Sequence, residues 1–182
     1  NEFTSSSMQD VYARIFTPAG QAVGTQILVN SFTSYNQRTP AIASLRDGRF
    51  VIAWVSEQER FENSVDIYAQ IFNAGGTQAG NEILINSSTN VCANPSVVPT
   101  SMGGFIVAWS EKDLTSVVTN SWDVYARAFG SAGTASGASV RINQFRFGDQ
   151  FAPRLAIIGS DVVAVWTSMN QDGSREGVVG RF

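Results

Sequence analysis

Phe50-Val51-Ile52-Ala53-Trp54, then an irregular polar loop, then Asp66-Ile67-Tyr68-Ala69-Gln70-Ile71-Phe72 form a pattern that the chain repeats. It returns as Phe105-Ile106-Val107-Ala108-Trp109 with Asp123-Val124-Tyr125-Ala126-Arg127-Ala128-Phe129. A worn copy follows as Val162-Val163-Ala164-Val165-Trp166 with Gly177-Val178-Val179-Gly180-Arg181. The landmarks keep step. Tyr12 to Tyr68 is 56 residues and on to Tyr125 a further 57; Asn30, Asn86 and Asn143 show the same two intervals; Trp54, Trp109 and Trp166 are 55 and 57 apart. Self-similarity at a fixed period marks a repeat architecture.

Around each tryptophan the local signals are those of strands. Val11-Tyr12-Ala13-Arg14-Ile15-Phe16 puts Tyr12, Arg14 and Phe16 on one face and Val11, Ala13 and Ile15 on the other, the period-2 alternation of a strand. Arg46-Asp47-Gly48-Arg49 supplies the Asp-Gly hairpin signal before Phe50. Pro40, Pro95 and Pro153 each precede a short apolar run that reads as a strand beginning after the proline. One unit is therefore four short antiparallel strands, and no stretch of ten residues has helical periodicity.

The tryptophan strands are apolar on both faces, so their sheets are covered on both sides. The expected fold is all-β, with four-stranded antiparallel sheets repeated about every 57 residues as β-propeller-like blades; a three-fold β-prism is the alternative. The units fall at approximately 1–56, 57–111 and 112–168, with a partial fourth at 169–182, in a single repeat domain. Three units are few for a closed propeller, and a bare strand edge is a template for another chain, so self-association or contact with neighbouring repeats is expected.

Composition narrows the chemistry. A formal charge of −3 argues against nucleic acid, which calls for clustered Lys and Arg. The apolar runs are all far shorter than the ~18–20 residues of a membrane span, so no membrane insertion is expected. One cysteine, Cys92, excludes an internal disulfide, and the absence of His removes Ser-His-Asp, Cys-His and His-ligated zinc sites.

The run from Gly48 to Trp109, with GRFVIAW, DIYAQIF, NEILIN and GGFIVAW, resembles a propeller-type repeat found in long, secreted repeat proteins. In that repeat Gly-Gly-Phe-Val-Val-x-Trp is followed by Gln-Asp-Gly-Ser, Val-Tyr-Ala-Gln-Arg-Phe, Gly-Thr and Val-Asn. The third unit keeps the loop piece as Gln171-Asp172-Gly173-Ser174, whereas the first two carry Glu57-Gln58-Glu59-Arg60 and Glu111-Lys112-Asp113-Leu114. The resemblance covers essentially the whole chain, implies an extracellular or cell-surface location, and brings no catalytic residues.

The candidate site residues are few. Trp54, Trp109 and Trp166 read as blade-closing core, but Trp122 has no counterpart in the other units and is the candidate for a ligand or glycan contact. Arg14, Gln70, Arg127 and Arg181 align on one strand face, a ladder suited to anions or acidic sugars, or to covering the outer blade surface with their stems. Asp66, Asp113, Asp123 and Asp172 recur at one edge; hard cations take six to eight oxygens, which makes calcium the metal such carboxylates would hold, but a plain turn-capping role accounts for them and no cofactor is expected. Asn86-Ser87-Ser88 is a glycosylation acceptor sequence. A hydrolase would draw two carboxylates from distant loops, and no pair stands out. The expected function is a non-enzymatic extracellular module with a structural, adhesive or filament-forming role. The alternatives are a multivalent carbohydrate-binding lectin and a glycoside hydrolase-like propeller.

Overall fold

The computed structural model describes residues 8–58, 64–112 and 121–182; Asp113 and most of the loop before Trp122 lie outside them. Strand β1 (Tyr12–Phe16) pairs with β2 (Ala22–Leu28) in a two-stranded sheet. Strands β3 (Gln37–Ser44), β4 (Phe50–Ser56), β5 (Asp66–Phe72) and β6 (Ile83–Leu84) follow one another in an antiparallel blade. Strands β7 (Val91–Pro99), β8 (Phe105–Lys112), β9 (Trp122–Phe129) and β10 (Val140–Arg141) make the second blade, and β11 (Gln150–Ile158), β12 (Asp161–Met169) and β13 (Glu176–Arg181) the third. The first strands of the blades lie side by side, with β7 between β3 and β11. This is propeller geometry, all-β among the described residues, and no helix there is long and apolar enough to cross a membrane.

The apolar alternation dictates how blades stack. Phe105, Val107 and Trp109 leave one face of β8 and pack on Val51, Ala53, Val55, Ile67, Ala69 and Ile71 of the blade before. Trp54 with Ile52 does the same against Val11 and Val29, and Trp166 with Ala164 against Val124. Each tryptophan therefore closes its blade onto the preceding one. Cross-strand aromatic pairs extend the contact: Trp54–Tyr68 and Trp109–Tyr125 have centroids 6.4 and 6.3 Å apart, and Phe50–Phe72 and Phe105–Phe129 stack at 5.2 and 5.1 Å.

The third blade lacks the phenyl stack, since Val162 and Ala164 stand where Phe105 and Val107 stand in the second. The boundary between blades two and three accordingly keeps a cavity of about 280 Å³, lined by Ile106, Ile142, Leu155, Val162 and Ala164. Filling such a gap stabilises by ~0.5–1 kcal/mol. Ala164→Val is expected to raise the melting temperature by about 2 °C, given ~2–4 °C per kcal/mol for a domain of this length; differential scanning calorimetry reads it, and an unchanged or lower value would mean the gap is already relaxed.

The prolines depart from the sequence expectation. The first strands of the blades begin at Gln37, Val91 and Gln150, before Pro40, Pro95 and Pro153 rather than after them. A bulge accommodates each: Thr39-Pro40, Asn94-Pro95 and Ala152-Pro153 stand opposite single residues, Trp54, Trp109 and Trp166. Proline has no N–H to donate and is tolerated at a bulge on an edge strand. The residue before it takes a left-handed conformation, with φ of 50° at Thr39, 53° at Asn94 and 54° at Ala152, a strained state of order 1–3 kcal/mol that survives only where its surroundings enforce it.

Gly76 and Gly133 combine two demands. Both have positive φ, and a Cβ there would meet Ile27 or Ile83 of the preceding blade at 2.4 and 2.3 Å. Only glycine allows the turn and the close blade contact together.

Candidate functional site

The three bulges open the wall formed by the first strands. Because a bulge bends its strand and re-aims the next side chains, Thr39 and Pro40, Asn94 and Ser96, and Arg154 converge on a polar cleft of about 340 Å³. Its floor is stitched across strands. The Ser110 hydroxyl donates to Asn94 Oδ1 at 3.3 Å and accepts from the Ala152 N–H at 2.9 Å, and the Leu155 N–H donates to Ser96 Oγ at 3.0 Å.

Carboxylates stand beside the starts of first strands, outside the lining of the cleft. Glu57, just past β4, is buried; it accepts from Asn36 Nδ2 at 2.9 Å and from Arg38 Nε at 3.0 Å. On the third blade Asp149, one residue ahead of β11, accepts the Trp122 N–H at 3.0 Å. Trp122 is half-buried at the start of β9, and its backbone is held there by the Asp149 carboxylate. This seam is a departure from the others: blade boundaries further up the chain are closed by parallel backbone bridges, Gln9 with Asn36 and Val65 with Val91, and here the Asp149 side chain takes the place of the backbone.

Glu111 lies in strand β8 rather than in a loop as the sequence suggested. It is buried, accepting from Trp109 Nε1 at 2.8 Å and Asn90 Nδ2 at 2.9 Å. It answers a local change of sequence. In the first blade Gln37 faces Ser56 and its Oε1 accepts from Trp54 Nε1 at 3.2 Å. In the second, Cys92 faces Glu111 and the acceptor comes from the opposite strand. Burial, with the negative charges of Glu111 and Asp66, pushes the Cys92 thiol well above its ordinary range, so it is held neutral. In the third blade the atoms of the equivalent bond, Trp166 Nε1 and Gln150 Oε1, are both buried and unpartnered.

The other expected site residues have structural employment. Asp66 and Asp123, expected as metal ligands, form clips: Asn86 Nδ2 donates to Asp66 Oδ1 at 2.7 Å while its Oδ1 accepts the Ile67 N–H at 2.8 Å, and Asn143 does the same with Asp123 and Val124 at 2.6 and 2.9 Å. Asn30 repeats the arrangement with Asp10 and Val11. The sequence reading gave these aspartates and asparagines separate duties; they act as pairs. Asn86, the expected glycosylation acceptor, is 1% exposed, and its amide also donates to Ser88 O, so it offers no amide to an incoming sugar. Asp172 caps its own hairpin, with Ser174 N–H and hydroxyl donating to Oδ1; these hydrogen bonds hold its carboxyl below the usual range. Among the described residues no three His, Cys, Asp or Glu side chains are grouped to hold a metal ion.

The aligned ladder is divided between blade stapling and packing. Arg127 Nη1 donates to Ile85 O and Arg181 Nη1 to Ile142 O, each at 3.1 Å across a blade boundary. Gln70 is buried and donates to Ile71 O and Gly80 O. Arg14 lies over the Phe16 ring at 5.9 Å. Sequence alignment found the ladder but not its partners, which belong to other blades.

No family model matches the sequence, and no curated protein matches it. Solved structures do. The endo-arabinase from Bacteroides thetaiotaomicron VPI-5482 superposes with a TM-score of 0.57 at 13% identity, over 91% of this chain and 63% of that one. The α-L-arabinofuranosidase from Lactobacillus brevis gives 0.57 at 10% identity, over 89% and 57%, and an exo-1,5-α-L-arabinanase from a bovine ruminal metagenomic library 0.52 at 10%, over 91% and 60%. The chain spans about three fifths of the length of these proteins. At such identity the likeness is one of fold, and it is the β-propeller expected from the repeat. It also corrects the functional expectation: the matched propellers are glycoside hydrolases, so repetition with irregular loops does not mark a non-enzymatic scaffold, and the structural or adhesive reading gives way.

Proposed function

We propose that the chain forms part of an extracellular carbohydrate-hydrolysing propeller whose substrate lies in the cleft between the bulged first strands. The observation that carries this reading is the cleft itself, on which polar side chains of three blades converge. Glycosidases work with one carboxyl group that protonates the leaving oxygen and a second that activates water or attacks the sugar. Glu57 and Asp149 are the candidates for those parts, and Trp122 beside Asp149 offers a face for the apolar side of a sugar ring.

The fold matches make arabinan and arabinofuranosides the substrates to try first. The protein is expected to release reducing ends from debranched arabinan or another plant or microbial polysaccharide. Glu57→Gln, which keeps the shape and one acceptor oxygen, is expected to lower kcat by at least about 100-fold, the scale of lost acid–base catalysis, while circular dichroism stays that of the parent and the melting temperature falls by only a few degrees, about the cost of losing one of the bonds to Asn36 and Arg38. Full turnover by Glu57→Gln would remove Glu57 from the chemistry, and absence of turnover across neutral and acidic polysaccharides would sink the hydrolase reading.

A further inference from the structure

We infer that Arg154 gives the cleft a subsite for a carboxylate-bearing residue of the glycan, a uronate next to the sugar that is cleaved; this rests on the proposed placing of substrate in the cleft. The equivalent positions in the three blades are Ala41, Ser96 and Arg154, each the first residue after the bulge proline. Two are small and the third is a long cation, so the wall's three-fold sameness is broken once, inside the cleft.

Nothing structural accounts for that arginine. It is exposed, its Nη1 donates to Pro153 O of the adjoining residue at 2.8 Å, and no carboxylate pairs with it among the described residues. It contrasts with Arg38, whose guanidinium is paired with Glu57, and with Arg127 and Arg181, which staple blades. The chain as a whole is acidic, so an unpaired cation here is not part of a general basic surface. A planar guanidinium with donors to spare matches a carboxylate bidentately, and the hydroxyl of Thr39 and the amide of Asn94 border the same space to meet sugar hydroxyls.

The test compares oligogalacturonides with their methyl esters by isothermal titration calorimetry, the ester removing the charge and adding one methyl group per residue. The acid is expected to bind at least tenfold more tightly than the ester, with affinity falling as salt is raised. Arg154→Ala is expected to bring the acid and ester affinities to within about twofold of each other, and Arg154→Lys to keep part of the preference. Equal binding of acid and ester, an acid preference that survives Arg154→Ala, or no binding of either overturns the inference. Turnover on polysaccharide is assayed apart from binding. Cleavage without acid preference would overturn the role of Arg154 and keep the hydrolase, whereas acid-selective binding without cleavage would do the reverse.

Discussion

Asn86→Ala is expected to lower the melting temperature by about 10 °C. The amide holds three groups at once: it accepts the Ile67 N–H, donates to the Asp66 carboxylate, and donates to Ser88 O. Asp66 is 3% exposed and Ile67 fully buried, so water does not take over these bonds. Each buried polar group left without its partner costs ~1–3 kcal/mol, more for a charged one, and a sum of ~3–5 kcal/mol converts at ~2–4 °C per kcal/mol. Asn86→Asp is expected to be worse, because it sets a second carboxylate against the first. Asn30→Ala, whose partner Asp10 is only half-buried, is expected to cost less. Thermal denaturation of the three variants orders them, and equal losses at Asn30 and Asn86 would show that burial does not set the price of the clip.

The second large effect is Glu111→Ser, with a rescue. Alone it leaves the buried Trp109 indole N–H and the Asn90 amide without acceptors, for a loss of about 2–4 kcal/mol. Adding Cys92→Gln recreates the Gln-and-Ser pair that the first blade uses at Gln37 and Ser56, with the same number of side-chain heavy atoms as Cys and Glu together. The double variant is expected to recover about 2 kcal/mol, a coupling within the range for residues in contact. Denaturant melts of the four corners of the cycle measure it. Additive losses would mean that the blades do not share one way of satisfying the tryptophan.

Much of the fold could be read from the chain because the signals repeat. The tryptophan strand, the Asp-Gly or Gly-Gly hairpin and the constant landmark spacing each report on contacts within one unit, where sequence separation is short. The bulges were hidden because a proline inside a strand looks like a boundary; only the pairing register shows two residues facing one tryptophan. The Asp–Asn clips were half visible, at a constant separation of 20 residues, but each residue alone has an adequate local explanation. The cleft was not legible at all. Thr39, Asn94 and Arg154 are far apart in the chain and occupy positions of no shared chemistry, and only the stacking of three blades brings them to one wall.

The chemically unlike faces of a blade give the molecule a direction. The tryptophan face of one unit seats on the aliphatic face of the unit before it, and neither face matches a copy of itself. A segment one period long therefore carries one of each, wherever in the period it is taken to start. Duplication of any such stretch of gene is expected to insert a blade that already fits both neighbours, so whole units can be gained or lost without redesigning an interface. Variation is then confined to what the count of blades leaves free: the curvature of the stack and the residues along its first strands.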